Sequence, residues 1–213
     1  MATRRIILEK SRLLVIGLLI GLLLAACQAT SGVPAESALE TQLDWAGSQR
    51  PTPVPVPDFT LTDQRGQAFR LSDQRGRVVV LFFGYTHCPD ICPTNLAVWS
   101  RVEADLGADA KRVRFVYVTA DPDRDTPQIL GQYLKNFSPN FIGLTGAPDA
   151  LEKVYETYRV IHQKQEVPGS AIGYAMAHST DTDLIDPSGG WNSVLTFGVS
   201  EKDTVQAIRD LLP

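Results

Sequence analysis

From Arg77 to Gly84 the chain reads Arg-Val-Val-Val-Leu-Phe-Phe-Gly, with no polar position after the arginine. A strand covered on one face would alternate, so this run predicts a strand buried on both faces. Val113 to Thr119 predicts a second such strand. Between them, Leu96, Trp99, Val102 and Leu106 recur at helical spacing and predict a helix from about Pro93 to Leu106. Pro93 has no amide proton and fits only the first turn, so the helix starts at Cys92 or a little before. Thr126 to Phe137 predicts a second helix, Phe141 to Leu144 a short strand, and Pro148 to Tyr158 a third helix. Leu151, Val154, Tyr155 and Tyr158 share one face of that third helix.

Upstream, Phe59-Thr60-Leu61 and Ala68 to Leu71 flank Asp63-Gln64-Arg65-Gly66, the pattern of a hairpin. Downstream, residues 162–173 are polar and contain glycine, which predicts an exposed loop. Strands follow over Tyr174–His178, Thr182–Ile185 and Asn192–Gly198, and Lys202–Leu212 closes the chain as a helix. Alternating strands and helices, with hairpins late in the chain, predict an α/β fold: a central mixed sheet flanked by helices.

The N-terminus follows another pattern. Arg4, Arg5, Lys10 and Arg12 precede an apolar or glycine run from Leu13 to Leu24, which ends in Leu24-Ala25-Ala26-Cys27. The run has 12 residues. A bilayer-spanning helix needs roughly 20, whereas a signal peptide's apolar region fits this length. Residues 1–26 are therefore expected to be a signal peptide. Leu-Ala-Ala-Cys resembles a lipoprotein processing box, which makes Cys27 the expected lipidation site. Residues 27–57, with Pro51, Pro53, Pro55 and Pro57, are expected to form an extended tether to the membrane. The folded domain is expected over 58–213.

Composition narrows the function. The chain carries 20 basic and 24 acidic side chains; without residues 1–26 these become 16 and 23. An acidic domain of this kind excludes a nucleic-acid reader and makes a covalent lipid anchor more useful at an anionic membrane. After processing, Cys88 and Cys92 are the remaining protein thiols. They stand in Gly84-Tyr85-Thr86-His87-Cys88-Pro89-Asp90-Ile91-Cys92-Pro93, where a buried strand gives way to a helix. Free amides at a helix start stabilise a thiolate, and the i, i+4 spacing turns both sulfurs to one side. Two soft thiolates suit Cu(I) or zinc with a histidine from elsewhere. The same pair also suits thiol exchange or a disulfide bond in an oxidising compartment.

Three blocks then carry a family resemblance. The Gly84–Pro93 segment resembles the copper motif of the SCO/SenC family of thioredoxin-like copper proteins, which serve in cytochrome c oxidase assembly. Thr119-Ala120-Asp121-Pro122-Asp123-Arg124-Asp125-Thr126-Pro127 resembles that family's acidic turn. His178-Ser179-Thr180, with Leu184 to Gly189, resembles the block bearing its histidine. The match covers residues 58–212. One departure is Asp183, where family members often carry an aromatic residue.

The resemblance implies a thioredoxin-like fold with an N-terminal β-hairpin extension. It implies a copper site of Cys88, Cys92 and His178, serving Cu(I) and in some states Cu(II) with a further ligand. No separate catalytic residue is implied. His87, Asp121, Asp123 and Asp125 are expected near the ligands as supporting groups, and Asp125 is also expected to cap the helix beginning Thr126-Pro127. His162 is expected to be a plain surface histidine. The implied role is an extracytoplasmic copper metallochaperone. It would deliver copper to the CuA centre of oxidase subunit II, or reduce the cysteines of that centre. Other periplasmic copper chaperones or thiol reductants are further expected partners. Two other functions use the same residues: a thiol–disulfide oxidoreductase or peroxide reductase, and a copper-responsive sensor.

Overall fold

The computed structural model describes residues 49–170 and 172–213. The segment 1–26 and Cys27 lie outside the described residues. Among the described residues, no helix is long and apolar enough to cross a membrane.

Among the described residues, ten strands and four α-helices follow in chain order: β1 Gln49–Pro55, β2 Thr60–Asp63, β3 Ala68–Arg70, β4 Val78–Gly84, α1 Ile91–Leu106, β5 Val113–Thr119, α2 Pro127–Leu134, β6 Ile142–Thr145, α3 Pro148–Tyr158, β7 His162–Glu166, β8 Tyr174–His178, β9 Thr182–Ile185, β10 Gly190–Leu195 and α4 Glu201–Leu211. Eight strands form one sheet in the order β1-β10-β9-β4-β5-β6-β2-β3. Strands β4, β5 and β6 run parallel; β9 and β10 continue the sheet antiparallel on one side, and the β2–β3 hairpin does so on the other. This is the expected mixed sheet with helices and an N-terminal hairpin extension, an arrangement of the thioredoxin-like α/β class.

The two-sided burial of β4 and β5 has a simple cause. Successive strand residues point to opposite faces. Val78, Val80, Phe82, Phe115 and Tyr117 join one apolar cluster with Leu96, Trp99, Val102 and Leu106 of α1 and with α2 and α4. Val79, Leu81, Phe83, Val116 and Val118 join a second cluster with Leu151, Val154, Tyr155 and Tyr158 of α3. Both faces are covered, so neither tolerates polar alternation.

Three expectations change. Residues 162–173 are not all loop: His162–Glu166 pairs in register with Tyr174–His178, forming a separate two-stranded sheet. Four of the five β7 residues are exposed, so the strand has no apolar alternation to betray it; backbone pairing alone defines it. The second helix ends at Leu134, because the Phe137 amide turns back to the Leu134 carbonyl in a tighter turn. The proline-rich stretch holds strand β1, paired antiparallel with β10. An edge strand needs its backbone donors on one side only, which is where proline is tolerated. The ordered sheet thus reaches back beyond Asp58.

Candidate metal centre

Strand β4 ends at Gly84, and the chain crosses the top of the sheet before α1 begins at Ile91. Cys88 lies on this crossing, half-buried; Cys92 lies in the first turn of α1 with no exposed surface. The Cys92 N–H points at the Cys88 sulfur, 3.4 Å away. The third group arrives from the other end of the chain. His178 is the last residue of β8, and its ring stands edge-on to Phe82 and Tyr85, at centroid distances of 6.1 and 5.5 Å. Its Nε2 lies 3.4 Å from the Cys92 sulfur and 3.9 Å from the Cys88 sulfur. The three donor atoms lie within 4.8 Å of one another, and no fourth histidine, cysteine or carboxylate joins them among the described residues.

The tautomer follows from one contact. His178 Nδ1 is 2.7 Å from the Ser179 carbonyl oxygen, which only accepts, so Nδ1 carries the proton. A neutral ring then presents its Nε2 lone pair to the two sulfurs. A carbonyl holding the far nitrogen of a ligating histidine is a recurring device for orienting it.

The cysteines are both free and differ in protonation. Cys88 is pushed far below an ordinary thiol, first by the hydrogen bond from Cys92, then by His178 and backbone amides, against the effect of burial. Cys92 is pushed far up, first by burial and then by the neighbouring Cys88 sulfur. Burial alone would lower the pKa of His178; contact with Cys88 and the Ser179 carbonyl outweighs it, and the net direction is up. Without a ligand, the site is a half-exposed thiolate beside a buried thiol, with an imidazole able to share a proton.

The donor set fits a soft monovalent ion. Two sulfurs and one nitrogen around a centre, with bonds of about 2.0–2.3 Å, stand roughly 3.5–4 Å apart. The observed sulfur–nitrogen separations of 3.4 and 3.9 Å match that triangle. Three ligands without a fourth suit Cu(I) better than zinc, whose closed sites are tetrahedral.

The acidic turn supports the site from behind, but its residues divide the work unequally. Asp125 is fully buried and accepts from the Thr86 hydroxyl (2.6 Å), the Thr86 amide (3.1 Å) and the Thr119 hydroxyl (2.7 Å). It ties the crossing that bears Cys88 to the end of β5. It is not the expected helix cap: the Thr126 side chain caps α2 by accepting from the Ile129 amide. Asp121 accepts from the Tyr174 hydroxyl at 2.8 Å and pairs with Arg124. Asp123 is exposed. His87 is exposed too, its Nδ1 beside the Thr86 hydroxyl, and it stands outside the ligand group. His162 is more engaged than a plain surface residue: it stacks on Tyr155 at 4.2 Å and approaches Glu152 at 3.5 Å. Asp183 lies buried in β9, opposite Leu81 and Val194.

Arg124 is the supporting residue that sequence reasoning passed over. Its guanidinium lies on the Tyr174 ring at 3.6 Å and donates to the carbonyls of Ile172 and Tyr174, both at 3.1 Å. Lys164 covers the same ring at 3.8 Å. Arg124 therefore fastens the β7–β8 hairpin, and with it His178, to the acidic turn. The signal was its position inside the Asp121–Asp125 run, where one cation among three carboxylates must find a partner.

A family model described as SCO1/SenC matches residues 47–213. A SCO2-like protein of Rickettsia prowazekii is 34% identical over 152 residues, spanning 71% of this chain and 74% of that one. Among solved structures, Bradyrhizobium japonicum ScoI with copper bound superposes with a TM-score of 0.68 at 35% identity, covering 75% of this chain and 100% of that chain. Apo Sco1 from Thermus thermophilus gives a TM-score of 0.67 at 34% identity, over 76% of this chain and 93% of that one.

Proposed function

The chain belongs to the SCO1/SenC family, and from that premise we propose that it is an extracytoplasmic copper chaperone of cytochrome c oxidase assembly that hands Cu(I) to the CuA centre of subunit II. Cys88, Cys92 and His178 hold the cargo. The observation that carries this reading is the convergence of two sulfurs on an imidazole Nε2 that the Ser179 carbonyl has already turned toward them. Three ligands, of which Cys88 and His178 are half-buried, hold a soft ion while leaving a side open to an incoming ligand. A partner thiolate or imidazole can then bond to the ion before a chaperone ligand departs. The test mixes Cu(I)-loaded protein with the apo soluble domain of subunit II. The expected result is loss of copper from the chaperone and growth of the CuA absorption; a protein that binds no stoichiometric Cu(I) overturns the reading.

The same site supports a second activity, reduction of the CuA cysteines. Cys88 is a half-exposed thiolate and Cys92 a buried thiol. Attack by Cys88 on a partner disulfide forms a mixed disulfide and frees one partner thiolate. Cys92 then attacks Cys88, closing the protein disulfide and freeing the second partner thiolate, while its own proton leaves to solvent or a neighbouring base. Copper-free protein that reduces an oxidised subunit II domain, one disulfide per molecule, supports this activity; no reduction rejects it.

Loading has a pH signature with a definite sign. Cys88 is already ionised, Cys92 must give up its proton, and below its raised pKa so must His178. Apparent Cu(I) affinity is expected to rise about tenfold per pH unit where one proton leaves, and up to about 100-fold per unit on the acid side, where two leave. Competition against a Cu(I) chelator across the neutral range measures the slope; a flat profile contradicts this protonation scheme.

Cys27 is proposed as the lipid-bearing residue that ties the domain to the membrane. Its position after Leu24-Ala25-Ala26, with basic residues before the apolar run, supports this. The Cys27→Ser variant is expected to move from the membrane fraction to the soluble extracytoplasmic fraction or to stay unprocessed. Detergent partition and the mass of the mature N-terminus distinguish these; unchanged partition and mass contradict lipidation at this residue.

A further inference from the structure

Ile161 and Phe197 are the two most exposed large apolar side chains among the described residues, at 57% and 44%. Both adjoin the short link 179–181 that leads from His178 into β9. Ile161 stands at its first residue: the Ile161 amide donates to the Ser179 hydroxyl at 2.9 Å, and the Ser179 amide donates back to the Ile161 carbonyl at 3.1 Å. Phe197 stands at its far end, two residues beyond Leu195, which pairs with Thr182 at the start of β9. Single apolar residues scattered over a surface need no explanation. Two that flank the segment following a metal ligand do, since neither helps to hold the ion.

Behind Phe197 lies a notch walled by α1, the start of β9 and the β10–α4 loop. Asn95, Val98, Thr182, Leu195 and Val199 line it with Phe197, and its wall carries no charged side chain. The Asn95 side-chain amide donates to the Thr182 hydroxyl at 3.5 Å, which fastens α1 to β9 across the notch. Its volume of about 70 Å³ is roughly half that of a ~150 Å³ cavity that holds benzene, so it takes one aliphatic side chain rather than an aromatic ring. Asn95 follows Cys92 by three residues, which puts both on one face of α1 and the notch about 5 Å along the helix from that ligand. Transfer by ligand exchange brings a ligand of the acceptor to within about 2.3 Å of the ion. A specific interface covers about 800 Å² on each partner, roughly a disc of 16 Å radius. A disc of that size centred on the ligands takes in Ile161, Phe197 and the notch.

We propose that Ile161, Phe197 and the notch beside Asn95 form the docking face on which the copper acceptor seats, with one aliphatic side chain of the acceptor, next to its own metal ligands, entering the notch. This rests on the reading of the chain as a copper chaperone and adds to it where the acceptor is gripped. The grip is separate from the ion: Phe197 and Ile161 supply apolar area around a preformed pocket, the usual make-up of an interface anchor, while the three ligands do the exchange. Val54 supplies the control. It is 41% exposed, in edge strand β1 opposite Trp191, away from the end of the sheet that bears the ligands.

The test loads the full chain in detergent with Cu(I) and follows transfer to the apo soluble domain of subunit II over a range of acceptor concentrations. Wild type is compared with Phe197→Ser, Ile161→Ser and Val54→Ser, all changes at exposed side chains that cost little stability. Phe197→Ser is expected to raise the half-saturating acceptor concentration about tenfold and Ile161→Ser about threefold. The limiting transfer rate at saturation and the Cu(I) affinity are expected to match wild type, because the ligands are intact. Val54→Ser is expected to match wild type in every reading. Unchanged half-saturation in Phe197→Ser and Ile161→Ser, or a Val54→Ser shift as large as theirs, overturns the proposal. So does a Phe197→Ser variant that dissolves a wild-type dimer, or loosens binding to phosphatidylglycerol vesicles, while transfer stays as in wild type; the face then belongs to a second copy of this chain or to lipid. Wild type that binds Cu(I) and transfers none defeats the functional reading and this proposal together, whereas wild-type transfer with unaffected variants defeats the docking face alone.

Discussion

His178→Ala is expected to weaken Cu(I) binding by at least about 100-fold, since removing even an outer support of a metal ligand costs roughly 10–100-fold and this change removes a ligand itself. Cys92→Ala is expected to abolish stoichiometric binding, because a single thiolate beside an imidazole no longer encloses the ion. The two variants separate chemistry from folding. His178 is half-buried at the end of a hairpin, and its neighbours Phe82 and Tyr85 keep their own packing in the core. The variant should therefore melt close to wild type without copper and lose most of the stabilisation that copper gives. Chelator competition and paired thermal melts with and without Cu(I) provide both readings. If His178→Ala bound copper as tightly as wild type, the proposed ligand set would be wrong.

Arg124→Ala is the second large effect, and it acts at a distance from the ion. The change strips Asp121, which is nearly fully buried, of its cation. It also removes the donors to the Ile172 and Tyr174 carbonyls and the stack on the Tyr174 ring. Breaking a buried pair by removing one partner costs about 3–5 kcal/mol, and the partial exposure of Arg124 places this case near the lower end, roughly 3 kcal/mol. The loss falls on the β7–β8 ribbon, whose strands have little apolar burial of their own. Local opening there lowers the fraction of molecules with His178 in place, and apparent copper affinity falls with that fraction. A drop of about tenfold or more is expected, with faster amide exchange over 162–178. Arg124→Lys should rescue little, since a lysine has no planar fork to serve a carboxylate and two carbonyls at once. Unchanged exchange in the hairpin, together with unchanged copper affinity, would refute the fastening role.

These two residues differ in how they can be read from the sequence. His178 stands 86 positions from Cys92. Its spacing carries no signal; the family resemblance of the His178–Gly189 block identifies it. Arg124 sits in the acidic run that the same resemblance highlights, yet attention falls on the carboxylates around it. Asp125 is legible as a supporting group but not in its actual task, because a cap at Thr126 and a tie to Thr86 need the same residue types in the same place. Strand β7 escapes for a different reason: His-Gln-Lys-Gln-Glu has no hydrophobic period, and its pairing with β8, a segment outside its own local sequence, gives it shape.

The sequence by itself determined the core, the layers and the soft-donor pair. The buried strands, the apolar helix faces and the i, i+4 cysteines are local patterns, and local patterns follow from backbone periodicity. The tertiary structure decided everything that joins distant segments: the imidazole turned toward the sulfurs by Ser179, the hairpin held by Arg124, and the division of one thiolate and one thiol between Cys88 and Cys92. The physical reason is that protonation and ligand geometry depend on distances of a few ångströms between groups far apart in the chain, which only the closed sheet and its loops set.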